Sequence, residues 1–258
     1  MSRKRRIGSL YIGTSNIVLP GNRQSFPESF RDKSRLHYYS TLFNSLEINS
    51  SFYKVPLPRT FRRWPTETLP GFRFTVKLWK GITHNKLVYL PGDIEQFLRA
   101  ADELEDSRGC LLIQFPGSIT ADQSTRVFEI LNDIRLSDPE AKWRIAVEFR
   151  HNSWYFREIY ELLNEYDAAM VIHDIPASRV MEHHTKSDFV YLRFHGPRGD
   201  YRDSYTDEFL AIRAKEILKW MKAGKDVYAY FNNTIGAAFE NAILLKQLVH
   251  GLTEPRFA

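Results

Sequence analysis

The feature that most constrains the fold is a recurrence. Eight short runs rich in β-branched and apolar residues punctuate the chain, and most are followed by an amphipathic helical stretch. The runs are LYIGTS from 10, SLEINS from 45, FRFTVK from 72, CLLIQF from 110, RIAVEF from 144, AMVIHD from 169, FVYLRFH from 189 and VYAYFN from 227. Most are apolar on both parities, as expected of parallel strands buried on both faces. Leu36, Tyr39 and Phe43 share a helical face, as do Ile94, Phe97, Leu98, Ala101 and Leu104, with Asp93 and Gln96 at capping-box spacing. Eight such units in a 258-residue chain predict an α/β fold, a single (β/α)8 TIM-like barrel of parallel strands. The sixth unit is weakest: PASRVMEHHTKSD is a poor helix, so a short or irregular crossover is expected after strand six.

Composition narrows the setting. Hydrophobic residues at 43% and charged residues at 26% suit a packed, water-soluble chain. A lone cysteine, Cys110, excludes an intramolecular disulfide and a four-thiolate metal site, and the expected location is the cytoplasm. The basic start MSRKRRIGSLYIG leads into an apolar run too short for a signal-peptide core or a membrane span. Arg3, Lys4, Arg5 and Arg6 supply four of the 36 basic residues, leaving 32 against 31 acidic ones, so most of the +5 charge sits in this arm. Residues 1–6 are expected to be a disordered basic arm and 7–258 one barrel domain, since no composition break marks a linker.

In this fold active sites form where strands end. Strand two carries Glu47 and Asn49, strand three ends in Lys77, strand four in Gln114, and strand five in Glu148, Arg150 and His151. Strand six ends in His173 and Asp174, strand seven in Arg193 and His195, and strand eight in Asn232 and Asn233. Buried charges at interior parity require pairing, so a closed salt-bridge layer through Glu47, Lys77, Glu148 and Arg193 is the structural alternative to a reactive pocket.

Several of these strings carry a resemblance. IGTS (12–15), SLEINSSFYKVP (45–56), ITH (82–84), QFP (114–116), AVEFRHNSW (146–154), YLRFHGP (191–197) and YFNNTIGAAFENA (230–242) resemble the YecE-like family, domain of unknown function seventy-two (DUF72). The likeness runs from Ile7 to His250 and implies a TIM-like barrel with a polar cleft, but no established reaction; its ITH string places His84 among the cleft residues. One stretch departs from the family: this chain reads GTSNIVLPGNRQSFPESF where Gly-Trp and an aromatic-rich segment usually follow GTS, so Asn16 to Phe30 inherit no first-loop contacts.

The leading functional expectation is an enzyme using acid–base chemistry on a small anionic ligand, phosphorylated and sugar-like or nucleotide-derived. Glu47 and Glu148 are assigned as acid or base, with Asp174 and His195 orienting or shuttling protons. Ligand-binding candidates are Asn49, Tyr53, Lys77, His84, Gln114, Arg150, His151, Arg193, Asn232 and Asn233. Loops seven and eight suit anion binding, although Asn232 and Asn233 can equally cap the last helix. No GxxxxGK[ST] or GxGxxG string occurs. Two alternatives remain: a nucleic-acid-binding protein using the basic arm and Arg-lined mouth, and a divalent-metal hydrolase or isomerase built on Glu47, Glu148, Asp174 and His195. No cofactor or metal site is assigned, no membrane association is expected, and the oligomeric state is open.

Overall fold

A computed structural model describes residues 6–90 and 92–253. Its strands are β1 (Leu10–Thr14), β2 (Ser45–Ile48), β3 (Arg73–Lys77), β4 (Arg108–Phe115), β5 (Arg144–Phe149), β6 (Ala168–Met170), β7 (Ile172–His173), β8 (Phe189–Phe194) and β9 (Asp226–Phe231). They pair in parallel as a four-stranded sheet, β1-β9-β8-β7, and a five-stranded sheet, β2-β3-β4-β5-β6. The architecture is a TIM-like α/β fold, with sheets of four and five strands in place of one continuous eight-stranded sheet.

Both seams are traceable to particular residues. The apolar run from 169 is two short strands, because its backbone pairing passes from β5 to β8 at Val171. Val171 itself still donates its N–H to the Val147 carbonyl at 2.8 Å. At the other seam a parallel bridge joins Ser15 to Glu47, and the Asn16 N–H reaches the Glu47 carbonyl at 2.8 Å.

The helices are α1 (Arg35–Leu42), α2 (Ser50–Tyr53), α3 (Pro58–Thr66), α4 (Lys80–Thr83), α5 (Asp93–Ala101), α6 (Ser124–Ser137), α7 (Arg157–Glu165), α8 (Asp207–Lys222) and α9 (Ala238–Thr253). Ser34 caps α1 by accepting from the His37 N–H, and Thr206 caps α8 by accepting from the Phe209 N–H. The capping-box reading of Asp93 and Gln96 is corrected. Gly92, at φ +89°, is the cap, and Asp93 instead accepts the Leu90 N–H at 2.7 Å. Between β7 and β8 only a 3-10 turn, Pro176–Ser178, is formed, matching the irregular crossover expected there.

Apolar side chains separate into two clusters. One fills the space between helices and sheets, with Phe61, Phe74, Phe97, Ile134 and Trp143 almost wholly buried. The other, containing Cys110, Leu112, Ala146, Ala169, Val171, Tyr191 and Tyr230, comes from alternate positions of β4, β5, β8, β9 and the β6–β7 segment. These positions share parity with the strand-end polar residues, so the inner cluster is the floor on which the polar layer rests.

Of the basic arm, Arg3, Lys4 and Arg5 lie outside the described residues, whereas Arg6 pairs with Asp226 at 3.2 Å. Among the described residues no helix is long and apolar enough to cross a membrane.

Candidate functional site

The strand ends meet in one buried polar layer organised by Arg193 of β8. Its guanidinium donates through Nη2 to Glu47 Oε1 at 2.7 Å, through Nε to Glu47 Oε2 at 2.9 Å, and through Nη1 to Glu148 Oε2 at 2.7 Å. Glu47 also accepts from Ser15 Oγ and the Tyr191 hydroxyl, each at 2.6 Å. Glu148 additionally accepts from Arg150 Nε. Both glutamates have no exposed surface and Arg193 is 1% exposed.

Burial alone would raise both carboxyl pKa values. The arginines outweigh it, holding Glu47 below and Glu148 well below the ordinary carboxylate range. Each carboxylate is therefore ionised and saturated with donors, a weak base and a poor proton donor near neutral pH.

His195, also of interior parity, is fixed from both sides. Arg150 Nη2 and Arg193 Nη1 approach its Nε2 at 3.1 and 3.3 Å. Guanidinium nitrogens only donate, so Nε2 is the acceptor and the ring proton resides on Nδ1, 3.4 Å from Asp174 Oδ1. Burial chiefly, together with the arginine charges, lowers the His195 pKa to about 4. Asp174 accepts the His195 backbone N–H at 2.9 Å and the Tyr205 hydroxyl. His173, by contrast, binds the Phe149 carbonyl through Nε2 at 3.0 Å and serves the backbone.

Lys77 ends β3 at the edge of this layer, 8% exposed. Its Nζ donates to Gln114 Oε1 at 2.7 Å and lies 3.9 Å from the Phe52 ring centroid. Gln114 Nε2 in turn faces His84 Nε2 at 3.3 Å, and His84 Nδ1 lies 2.8 Å from Thr83 Oγ1. With Gln114 Oε1 accepting from Lys77, its amide must donate to His84, which orients the whole chain. Burial, then the positive charge of Arg193, brings the Lys77 pKa down to about 7, against partial opposition from Glu148 and Glu47. Burial likewise lowers His84 to about 4.

The structure thus brings together Glu47, Lys77, His84, Gln114, Glu148, Arg150, Asp174, Arg193 and His195. Of the other five candidates, His151, Asn233 and Tyr53 turn elsewhere, whereas Asn232 and Asn49 are held at the strand ends through their backbone N–H groups. His151 turns to Ser153, which donates its N–H to Nδ1 at 3.2 Å. Asn233 donates to the Asp203 carbonyl and to Asn241 Oδ1, tying down a loop well before α9 begins at Ala238. Asn232 donates its backbone N–H to the Phe194 carbonyl at 2.7 Å. Tyr53 is 67% exposed, with Lys80 Nζ 5.6 Å from its ring centroid. The Asn49 N–H is accepted by Asn16 Oδ1 at 3.1 Å. Asn16 adopts φ +62°, a left-handed conformation that asparagine tolerates better than most residues.

Tyr191 and Tyr205 were not among the candidates. Tyr191 was detectable, since it shares parity with Arg193 and His195 in FVYLRFH; Tyr205 lies in a loop with no periodic signal. No group of three or more His, Cys, Asp or Glu among the described residues is arranged to hold a metal ion. Of the carboxylates offered for that role, Glu47 and Glu148 are directed at arginines and Asp174 at the His195 N–H and the Tyr205 hydroxyl.

Comparison with known proteins adds relatives whose names state no activity. The model of a family described as "Protein of unknown function DUF72" matches residues 11–256. The UPF0759 protein YunF of Bacillus subtilis is 24% identical, with 88% of this chain and 89% of that protein covered. The UPF0759 protein YecE of Escherichia coli K12 is 25% identical over 46% of this chain and 43% of its own length. A crystal structure of a DUF72 family protein from Thermotoga maritima superposes with a TM-score of 0.75 at 28% identity, covering 94% of this chain and 99% of that one. One from Enterococcus faecalis, at 21% identity, has a TM-score of 0.76 over 94% and 98% of the two chains and shows the fold alone.

Proposed function

Because the chain belongs to the DUF72 family, whose description assigns no activity to inherit, we propose a function from the site itself: an enzyme that moves protons on a small anionic ligand held at the C-terminal strand ends. In this reading residues 7–258 form a single (β/α)8 barrel-like domain. The observation that carries it is Lys77, an amine at the edge of the polar layer that is 8% exposed, lies against Phe52 and is hydrogen-bonded to Gln114 with no carboxylate partner among the described residues; burial brings its pKa down to about 7. A group that titrates near neutrality has both protonation states available at working pH, which is what general acid–base catalysis requires.

The roles expected from sequence shift accordingly. Glu47 and Glu148 become the fixed counter-charges that position Arg193 and Arg150. Their net effect on Lys77 is electrostatic, and they exchange no proton at neutral pH. His195, neutral with its proton on Nδ1, holds Arg150 through Nε2. Arg150, whose side chain is 15% exposed, and the Lys77 ammonium meet the charge of the ligand, with Gln114 and His84 orienting the amine. An anion bound beside Lys77 favours its charged form, so binding above pH 7 takes up a proton.

The test incubates the full-length protein with a mixture of phosphorylated and carboxylated metabolites and follows depletion by mass spectrometry. Consumption of one anionic compound by the parent chain, abolished in Lys77→Met and Arg150→Met, is the expected result. Undiminished turnover in Lys77→Met overturns the assignment.

A further inference from the structure

At the opposite end of the strands, arginine opens three neighbours in succession: Arg73 begins β3, Arg108 begins β4 and Arg144 begins β5. Parallel pairing in near register brings these first residues to one rim, with Phe74 opposite Arg108 and Cys110 opposite Arg144. Two-residue periodicity places all three on the same parity as Thr75, Cys110 and Ala146, the inner face. They line a cavity of about 280 Å³ together with Arg6 and Lys142.

Positive charge exceeds negative charge in the lining of this cavity. Its lining holds five cations and one carboxylate, Asp226. Asp226 is fully engaged: Oδ1 accepts from the Ser9 N–H at 2.8 Å and from Arg6 at 3.2 Å, and Oδ2 lies 2.8 Å from Arg144 Nη1. Asp102, Glu140 and Asp188 lie outside the lining, 3.9 Å from Arg108, 3.2 Å from Lys142 and 3.4 Å from Arg144; at 42%, 73% and 76% exposed, their pairing is screened by solvent. Arg108 Nη1 donates to the Asp102 carbonyl at 3.0 Å, and Arg73 has no side-chain partner among the described residues. A half-buried arginine facing four other cations without a counter-ion is destabilised by its neighbours unless an anion joins them.

We propose that this N-terminal-face cavity is a binding site for an oligophosphate, either free pyrophosphate or the phosphate chain of a nucleoside di- or triphosphate. Planar guanidinium groups match phosphate oxygens with paired donors, and several of them around one small cavity favour a multiply charged anion over a single carboxylate. The cavity lies at the far end of the strands from Lys77, so the site is independent of the acid–base reading above.

Calorimetric titration of the full-length protein with pyrophosphate, and separately with ATP, tests this at low and at physiological salt. Saturable binding of one or both is expected, weakened about tenfold or more in Arg73→Gln and in Arg108→Gln and unchanged in Lys77→Met. Pyrophosphate binding identifies the free anion as sufficient, whereas binding of ATP alone identifies the nucleotide. Arg73→Gln should melt at the parent temperature or above it without ligand, because no native contact is lost. The proposal is overturned if neither ligand binds at millimolar concentration, or if the Lys77 variant and not the arginine variants loses binding. Binding of single-stranded oligonucleotide with none of pyrophosphate or ATP also overturns it.

Discussion

Replacing Lys77 by Met should make the protein more stable below neutral pH and less distinguishable from the parent above it. The lysine pKa is about 7 in the fold against an ordinary value of 10.5. Between these values the unfolded chain binds more protons than the folded one, so the stability of the parent rises with pH across that window. Worked from the two values, the buried amine costs the folded state about 5 kcal/mol at pH 6 and about 1 kcal/mol at pH 10. Methionine keeps the unbranched stem against Phe52 and removes the titration, at the expense of the 2.7 Å hydrogen bond to Gln114. That bond contributes about 1 kcal/mol at every pH and so shifts the comparison without tilting it. The measurement is urea unfolding of both proteins at intervals from pH 6 to pH 10. The variant's advantage should shrink by about 4 kcal/mol over that range. A difference that stays level to within about 1 kcal/mol would mean that Lys77 titrates as an ordinary lysine, and the acid–base reading would lose its basis.

The buried triad makes the opposite demand. Arg193→Met leaves Glu47 and Glu148 without their shared counter-charge and should cost about 3–5 kcal/mol or prevent folding, read by denaturant melts. Because both glutamates have depressed folded pKa values, they contribute stability above their ordinary value of 4.5 that is lost as pH falls through the lower folded values; Glu148→Gln should flatten the acid limb of the stability curve below pH 4.5. His195 falls from 6.5 to about 4, so the unfolded chain alone is protonated between those values and the parent loses about 3 kcal/mol on acidification through them. Stability of His195→Gln, followed from pH 7 to pH 4, should lack that loss. Gly13→Ala should destabilise by more than about 2 kcal/mol, since the added Cβ would lie 2.0 Å from the Ser45 carbonyl oxygen and 2.6 Å from the Tyr39 hydroxyl; thermal melts check it.

Periodicity located every strand, because apolar runs buried on both faces have few alternatives in a chain of repeated β-α units. It did not resolve the break at Val171, where one apolar run serves two sheets; a change of hydrogen-bonding partner leaves the side-chain pattern intact. It also assembled most of the polar layer, since Glu47, Lys77, Gln114, Glu148, Arg193 and His195 stand at strand ends on interior parity. What periodicity cannot express is how charges partition among them. Whether Glu148 is a base or a counter-ion depends on Arg193 and Arg150 reaching it together, a distance set by strand stagger and not by spacing in one strand. Asn233 and His151 illustrate the other limit, because a polar residue two positions past a strand end can be turned aside by a single backbone group, the Asp203 carbonyl for Asn233 and the Ser153 N–H for His151. The same reasoning applied to strand beginnings picks out Arg73, Arg108 and Arg144, three arginines at equivalent positions of adjacent strands. Arg193 is saturated by Glu47 and Glu148, whereas Arg73 has no side-chain partner among the described residues, and that contrast separates a structural ion-pair layer from a binding cavity.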